Sequence, residues 1–307
     1  MKTVALVLTA SPKAPALEAG LISAMRPRLQ PAELIEERWL APAIAWEGLL
    51  RLPAGLAPLD LSHQLAAVVA GRPIDINCVP ADPRHRRKKL LVADMESTII
   101  EQECLDELAA YAGFFDRISE ITLRAMRGEL AFEAALSERV ALLKGLDAGI
   151  LEEIYASRVS LMPGAAALVQ TMRRNGAHCA LVSGGFSFFT ERIAARLNFD
   201  SEQANALEIA AGRLTGRVRQ PILGREAKLA ALQQLTLKLQ LNAEDSLAVG
   251  DGANDLAMLR AAGFGVAFRA KPIVAEAAAL RIEHGDLTAL LYLQGYARQD
   301  FIGEKAI

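Results

Sequence analysis

The spacing of apolar residues changes near residue 88, and the change predicts two kinds of structure. Before it, the short apolar runs VALVLTA and IDINCVP alternate with helix-like stretches such as APALEAGLISAMRPRL, where Leu17, Leu21 and Met25 share one helical face. Strands and helices in this order predict a small α/β domain over residues 1–82.

A polar, proline-containing connection follows this first part. Pro80, Pro83 and the basic run RHRRKK at 84–89 interrupt the apolar pattern, as a domain boundary does. Such a run could contact an anionic partner, but a solvated linker before a strand is the commoner structure and is the one we predict. The second domain is predicted over residues 88–307.

In the second domain apolar strands alternate with helical segments. The predicted strands are KLLVADM, HCALVSGG, SLAVGDG and FGVAF, with a hairpin at ALEIAAGRLTGRVR. Strands that are apolar throughout and separated by helices predict a doubly wound parallel, Rossmann-like sheet covered on both faces. The insertion at about 103–158 is entirely helical in pattern and predicts a cap over one edge of that sheet.

Composition and charge narrow the class of protein. The 307 residues are 52% hydrophobic, and 34 basic against 36 acidic residues leave a net charge of −2. We therefore expect a globular protein with no nucleic-acid or membrane partner. Three cysteines without metal-ligand spacing predict reduced, mostly buried thiols. With no 18-residue apolar segment and no leader pattern at the N-terminus, we expect a cytoplasmic protein.

Three predicted strands end on polar residues: LLVA on Asp94, CALV on Ser183 and the following glycines, and LAV on Asp251 within GDGAND. Parallel strands bring such ends to one edge of the sheet. Two carboxylates that meet there repel unless they are protonated or bridged by a cation, and Mg²⁺ is the hard cation that oxygen ligands suit. Glycine backbone and helix N-termini favour a phosphate ligand.

These segments resemble the phosphoserine phosphatases of the haloacid dehalogenase superfamily. The family signature is similar to DMEST at 94–98, SGGF at 183–186, Lys228 and GDGAND at 250–255. The resemblance extends over about residues 88–298 and includes the cap. It implies a Mg²⁺-dependent hydrolysis of O-phosphoserine, a small-molecule substrate, to serine and phosphate through an aspartyl-phosphate intermediate, the last step of serine biosynthesis.

The resemblance also implies roles for single residues. Asp94 is the expected nucleophile. The expected metal ligands are Asp94, the backbone carbonyl of Glu96, Asp251 and, through a bound water, Asp255. The groups expected to hold the phosphoryl group or complete its site are Ser183, the Gly184 amide, Lys228 and Asn254.

Position 96 departs from the family pattern, which usually has aspartate there. Glu96 is the expected general acid and base, and its unperturbed pKa of about 4.3 is close to the aspartate value of about 3.9. The extra methylene changes the reach of the carboxyl group. A branch that resembles phosphoserine:homoserine phosphotransferases also carries glutamate here, so the preferred acceptor stays open.

The cap carries the residues expected to bind the amino acid part of the substrate. Glu103 matches the family position that binds the ammonium group, and Arg139 matches the one that binds the carboxylate. Met126 and Phe132 match apolar residues that line the closed pocket.

The N-terminal part is similar in element order to an ACT-type regulatory module. It is expected to bind serine, to mediate a homodimer or only to pack on the catalytic part. Two other functions stay open for the whole chain, a phosphotransferase with a second hydroxyl acceptor such as homoserine, and a serine-responsive regulatory protein with a residual phosphatase fold.

Overall fold

A four-stranded antiparallel sheet forms the N-terminal part of the computed structural model, which describes residues 2–127 and 129–303. Its strand order is β2-β3-β1-β4. The elements are β1 (Lys2–Ala10), α1 (Ala19–Met25), β2 (Glu33–Ala41), β3 (Ala45–Leu52), α2 (Pro58–Val69) and β4 (Ile74–Pro80). The predicted first helix is shorter than its pattern, because it begins only after Leu17, which is nevertheless buried.

The two faces of this sheet have different neighbours. Side chains of a strand alternate between faces, and Val4 and Leu6 lie in a buried cluster with residues of α1 and α2. Ala5 and Val7 belong instead to a large cluster that continues into the second part of the protein. Strand β1 is therefore buried on both faces, whereas the edge strand β2 is largely exposed.

The basic run is only in part the predicted solvated linker, because four of its six residues are exposed and two are not. The run begins in a short helix, α3 (Pro83–Arg86), and both Arg86 and Lys88 are buried. The Arg86 guanidinium pairs with Glu47 of β3 and donates 2.8 Å to the carbonyl of Leu293, while Lys88 Nζ donates 2.7 Å to the Glu244 carbonyl. Buried cations require such partners.

Two polar residues of β4 join the small sheet to the C-terminal part. The Asp75 carboxylate accepts hydrogen bonds from the backbone N–H groups of residues 283–285, the shortest being 2.8 Å. The Asn77 side chain donates to and accepts from the backbone of Arg281, at 2.9 and 3.0 Å. The division at residues 82 and 88 stays a prediction, since the buried cluster is continuous across it.

A six-stranded parallel sheet forms the second part, with the order β12-β11-β10-β5-β6-β7. The predicted doubly wound α/β fold class is confirmed. The remaining elements are β5 (Leu90–Ala93), α4 (Cys104–Ala112), α5 (Phe115–Met126), α6 (Phe132–Ala141), α7 (Gly149–Arg158), α8 (Ala165–Arg174), β6 (His178–Phe186), α9 (Ser187–Leu197), β7 (Ser201–Asn205), β8 (Leu207–Ala210), β9 (Arg213–Val218), α10 (Ala227–Lys238), β10 (Ser246–Gly250), α11 (Leu256–Ala261), β11 (Phe264–Phe268), α12 (Pro272–Ala277), β12 (Leu280–Ile282) and α13 (Ala289–Leu293).

Helices α4 to α7 form the cap between β5 and β6. The predicted hairpin is present as β8 and β9, and it is attached to the cap. Gly145 N donates 2.8 Å to the Leu214 carbonyl, and Leu214 N donates 2.9 Å to the Leu146 carbonyl. The pattern had not indicated this attachment, nor the elements α8, β7 and β12. None of the helices within residues 2–127 and 129–303 combines the length and apolarity that a membrane span requires.

Candidate active site

The ends of three neighbouring parallel strands meet at one edge of the large sheet. Asp94 directly follows β5, Ser183 lies in the last half of β6, and Gly250 ends β10. Strand β5 pairs with β10 on one side and with β6 on the other, so the predicted meeting of these segments is found. We refer to Asp94, Ser183, Lys228, Asp251 and Asp255 as the strand-end site.

The strand-end site contains a cluster of buried acids. One carboxylate oxygen from each of Asp94, Asp251 and Asp255 lies within 4.8 Å of the others. Lys228, near the start of α10, extends its ammonium group into the cluster, with Nζ 2.7 Å from Asp94 Oδ2 and 2.6 Å from Asp255 Oδ1. The side chains of Lys228 and Asp255 are almost completely buried.

The two glycines of GDGAND leave room for the side chains of Asn254 and Asp255, which pack directly against them. A Cβ atom on Gly250 would lie 2.3 Å from Asp255 Cγ, and one on Gly252 would lie 2.4 Å from Asn254 Oδ1. The Gly252 N–H donates 2.9 Å to Asp255 Oδ2. Together with Lys228, this bond fixes both oxygens of Asp255.

The electrostatics of the site show an excess of negative charge. Burial raises the pKa of Asp94 well above its usual range, with the neighbouring acids adding to the rise and Lys228 opposing it. Burial also raises the pKa of Asp251 to about 6. Burial disfavours the charged form of Lys228, but Asp255 and Asp94 outweigh this effect and raise its pKa. The three carboxylates therefore outnumber the buried ammonium of Lys228 and the more exposed one of Lys271, 3.8 Å from Asp251, and a further cation would lower their repulsion.

Glu96 is held beside this cluster but outside it. Its Oε1 accepts a 2.8 Å hydrogen bond from the backbone N–H of Cys104, the first residue of α4. A Cβ atom on Gly185 would lie 2.7 Å from Glu96 Oε2, so the carboxyl group lies directly against the backbone of β6. Burial, and then the charge of Glu103, raises the pKa of Glu96 to about 7.

A cleft lies between the strand-end site and the cap. The predicted residues Phe132, Ser183, Gly184, Lys228 and Asn254 all line it. The Phe132 ring lies over the backbone of Gly184, where an added Cβ would be 3.2 Å from Cζ. Ser183 Oγ accepts 2.9 Å from Gly185 N, which orients the hydroxyl oxygen.

The two charged residues of the cap, Glu103 and Arg139, are more exposed than the residues of the strand-end site. Glu103 is exposed at the start of α4 and accepts a 2.8 Å bond from Ser97 Oγ. Arg139 is half-buried, and its Nε donates 3.3 Å to its own helix at Ala135. Within residues 2–127 and 129–303, no carboxylate lies within 4.0 Å of the Arg139 guanidinium. The side chain of Met126, also predicted to line the pocket, lies outside the described part of the structure.

Arg139 nevertheless belongs to the same charged region as the acids. Burial lowers the pKa of Arg139, while Asp106, Glu96 and Glu103 act in the opposite direction. The guanidinium is thus desolvated and near acids without being paired to one. A ligand carboxylate could supply the missing partner.

Some of the residues near the site were not predicted from the sequence. Lys271 follows β11 and its Nζ lies 3.8 Å from Asp251 Oδ2, Arg225 lines the cleft, and Asp106 lies on α4 near Arg139 and Lys271. The position of Lys271 could have been inferred, because FGVAF was recognised as a fourth strand and its carboxyl end reaches the same edge. Asp106 and Arg225 resemble ordinary helix and loop charges.

The comparisons with known proteins agree with this geometry. Residues 91–260 match the family described as haloacid dehalogenase-like hydrolase. The chain belongs to this family, as its motifs had suggested.

Several relatives are named phosphoserine phosphatase. A phosphoserine phosphatase of Streptomyces coelicolor is 43% identical over 247 residues, which are 80% of this chain and 60% of that protein. One of Polaromonas sp. is 44% identical over 223 residues, 71% of this chain and 94% of that protein. The crystal structure of a probable phosphoserine phosphatase from Vibrio cholerae in unliganded form has a TM-score of 0.78 at 29% identity, and covers 97% of this chain and 88% of that one. The chain thus spans about three fifths of the length of the Streptomyces relative.

Proposed function

We propose that this protein is a Mg²⁺-dependent phosphoserine phosphatase that acts through an aspartyl-phosphate intermediate. The observation that carries the proposal is the buried arrangement of Asp94 with Lys228, Asp251 and Asp255 at the strand ends. The names of the relatives support the substrate.

In the first step Asp94 acts as the nucleophile. An oxygen of its carboxylate forms a bond to phosphorus while the bond between phosphorus and the serine oxygen breaks. Lys228 holds the Asp94 carboxylate in position at 2.7 Å and faces the phosphoryl group with its charge. Ser183 and the Gly184 amide line the same cleft and supply further polar contacts to the phosphoryl oxygens.

Glu96 acts as the proton donor in the first step and as the proton acceptor in the second. Its protonated carboxyl gives the proton to the leaving serine oxygen, and the resulting carboxylate then takes a proton from the water whose oxygen attacks phosphorus and releases Asp94. A pKa of about 7, raised by burial, lets both forms be populated near neutral pH.

The donor set at the strand ends suits Mg²⁺. Three carboxylates, each with an oxygen within 4.8 Å of the others, outnumber the ammonium groups of Lys228 and Lys271, and an oxygen-liganded cation offsets the remaining negative charge. Asp94 and Asp251 would hold the ion with the Glu96 carbonyl, and Asp255 through water. The Glu96 carboxylate is not one of these three acids. Its Oε1 instead accepts a hydrogen bond from the backbone N–H of Cys104. When bound, the ion neutralises charge on the attacking and leaving oxygens.

The cap supplies the contacts to the amino acid. The Arg139 guanidinium, which is partly desolvated and lacks a carboxylate within 4.0 Å among the described residues, would pair with the substrate carboxylate. Glu103 would pair with the ammonium group. Phe132 covers the Gly184 backbone and closes the cleft from the cap side.

A phosphate-release screen over small phosphomonoesters, with Mg²⁺ and with EDTA, tests the proposal. We expect release from O-phosphoserine that requires Mg²⁺ and exceeds release from phosphate esters without an amino acid part. Product analysis with added homoserine separates hydrolysis from transfer to that acceptor. If none of the esters releases phosphate in a Mg²⁺-dependent way, the proposal of an enzyme is refuted and a regulatory protein is favoured.

Self-association is a separate proposal. We propose a homodimer of the full chain, and sedimentation velocity on the purified protein tests this assembly directly.

A further inference from the structure

Two residues contact the Glu96 carboxyl group: Cys104 donates a hydrogen bond to it, and Gly185 lacks the side chain that would displace it. We propose that Cys104 and Gly185 are positioning residues that hold the Glu96 carboxyl group in one orientation between the first turn of the cap and strand β6. This inference rests on the proposed function, in which Glu96 is the acid and base.

The first contact is the bond from α4. The backbone N–H of Cys104 donates 2.8 Å to Glu96 Oε1, and the described residues offer this N–H no second acceptor. Cys104 is the first residue of a nine-residue helix, where the N–H has no partner within the helix and favours a negative charge. The Cys104 side chain is itself buried.

The second contact is between the Glu96 carboxyl group and the backbone of Gly185, and it is possible because residue 185 has no side chain. A Cβ there would lie 2.7, 2.9 and 3.0 Å from Oε2, Cδ and Oε1 of Glu96, which is closer than Cβ atoms approach other atoms. Alanine at this position would have to displace the carboxyl group. An aspartate side chain is one methylene shorter and would keep its carboxyl group away from this backbone.

The arrangement has a consequence for the cap. The donor to Glu96 is on the first cap helix, whereas the nucleophile is on the sheet. Any displacement of α4 away from the sheet would therefore release Glu96 but leave Asp94 and Lys228 in place. The orientation of the acid thus depends on the position of the cap.

The first experiment removes the Cys104 N–H with Cys104→Pro. Proline is tolerated at the first position of a helix, and helices α2 and α12 of this protein already begin with Pro58 and Pro272. Glu103, the preceding residue, is extended at φ −96 and ψ 107, close to the region that a following proline favours. Cys179→Ser is the matched control, since that thiol is equally buried and lies 3.9 Å from the Val169 carbonyl.

The measured quantity is kcat/KM for two substrates. O-Phosphoserine has a poor leaving group that needs the proton of Glu96, whereas p-nitrophenyl phosphate has a good one that does not. We expect Cys104→Pro to lower kcat/KM for phosphoserine by at least about tenfold, because misplaced catalytic groups commonly cost that much, and to change p-nitrophenyl phosphate by less than about threefold. Equal losses on both substrates, or none, would overturn the role of Cys104.

The second experiment does not depend on the folding of the proline variant. Gly185→Ala is made in the native chain and in Glu96→Asp. We expect about a tenfold or greater loss of kcat/KM for phosphoserine in the native background, and less than about a threefold further loss in the Glu96→Asp background. A loss of the same size in both backgrounds would overturn the role of Gly185.

Failure of the proposed function has a different result. If the native protein does not hydrolyse phosphoserine, or Glu96→Gln hydrolyses it normally, then the assignment of Glu96 is wrong. If the native protein is active and Glu96→Gln is impaired, but neither Cys104→Pro nor Gly185→Ala shows the expected selectivity, only the positioning inference is wrong.

Discussion

The strand-end site and the cap hold their charged groups in different ways. In the strand-end site Asp94, Lys228 and Asp255 are buried and joined by contacts of 2.6 and 2.7 Å. In the cap, Glu103 is exposed, and within the described part of the chain Arg139 makes only long hydrogen bonds, of 3.3 Å to Ala135 and 3.5 Å to Thr122. The strand-end groups are thus paired with one another before a substrate binds, whereas Arg139 has no carboxylate partner among residues 2–127 and 129–303.

The difference follows from what each region does in the proposed reaction. Groups that stabilise a transition state are most effective when they are fixed in advance in a site without water. Groups that select a substrate must first let it enter, and they can take their partner from it. Substitutions in the strand-end site should therefore affect every substrate, whereas those in the cap should affect only substrates with an amino acid part.

The largest expected effect is that of Asp94→Asn. We expect turnover to be abolished on all phosphate esters, because an amide is not a nucleophile here and is a weaker metal ligand. The fold should persist, since Lys228 keeps Asp255 as a partner. Borohydride should trap an aspartyl phosphate in the native protein and none in the variant, with circular dichroism as the control for folding. Activity equal to the native protein would exclude the covalent mechanism.

Glu96→Gln should have the next largest effect. A positioned general acid and base contributes roughly 10²- to 10⁴-fold, so we expect a loss of phosphoserine hydrolysis in this range. Glu96→Asp keeps a carboxyl group and should retain much more activity. Steady-state rates of the two variants are the measurement, and a normal rate for the glutamine variant would mean that another group protonates the leaving oxygen.

Arg139→Ala tests the cap. Charge-assisted hydrogen bonds contribute about 1.5–3 kcal/mol each, so we expect kcat/KM for phosphoserine to fall by at least about tenfold. p-Nitrophenyl phosphate has no carboxylate, and its hydrolysis should be nearly unchanged. Equal losses on the two substrates would mean that Arg139 supports the cap or the phosphate site, and the contrast between the two regions would then fail.

The smallest effect is expected at Lys271, which lies at the strand ends but is half-exposed. Its ion pair with Asp251, at 3.8 Å, competes with a bound cation. Exposed pairs contribute about 0.2–1 kcal/mol, so Lys271→Ala should lower the half-saturating Mg²⁺ concentration by at most about fivefold. A Mg²⁺ titration of activity measures this. A large loss of turnover would place Lys271 among the fixed groups of the strand-end site instead.

The sequence was most informative where function depends on strand ends. The apolar runs before Asp94, Ser183 and Asp251 predicted parallel strands, and pairing of β10, β5 and β6 in one sheet is what brings these residues together. The motif resemblance then suggested Lys228, which from its helix alone would have been taken for a surface charge. In the structure it is one of the most buried residues of the site.

The sequence was least informative where a contact joins distant segments. Arg86 and Lys88 were expected in solvent, because nothing local indicates that Glu47 or the carbonyls of Leu293 and Glu244 would meet them. The attachment of the hairpin to the cap is of the same kind.

The amino acid sequence by itself determined the fold class, the choice of the acids proposed to react and the departure at position 96, because each depends on short-range pattern or on the residue present. Only the tertiary structure decided how Glu96 is held. Its contacts to Cys104 and Gly185 join the first cap helix and β6 across positions far apart in the chain. Hydrogen-bond partners and excluded volumes of this kind arise only when the segments pack together.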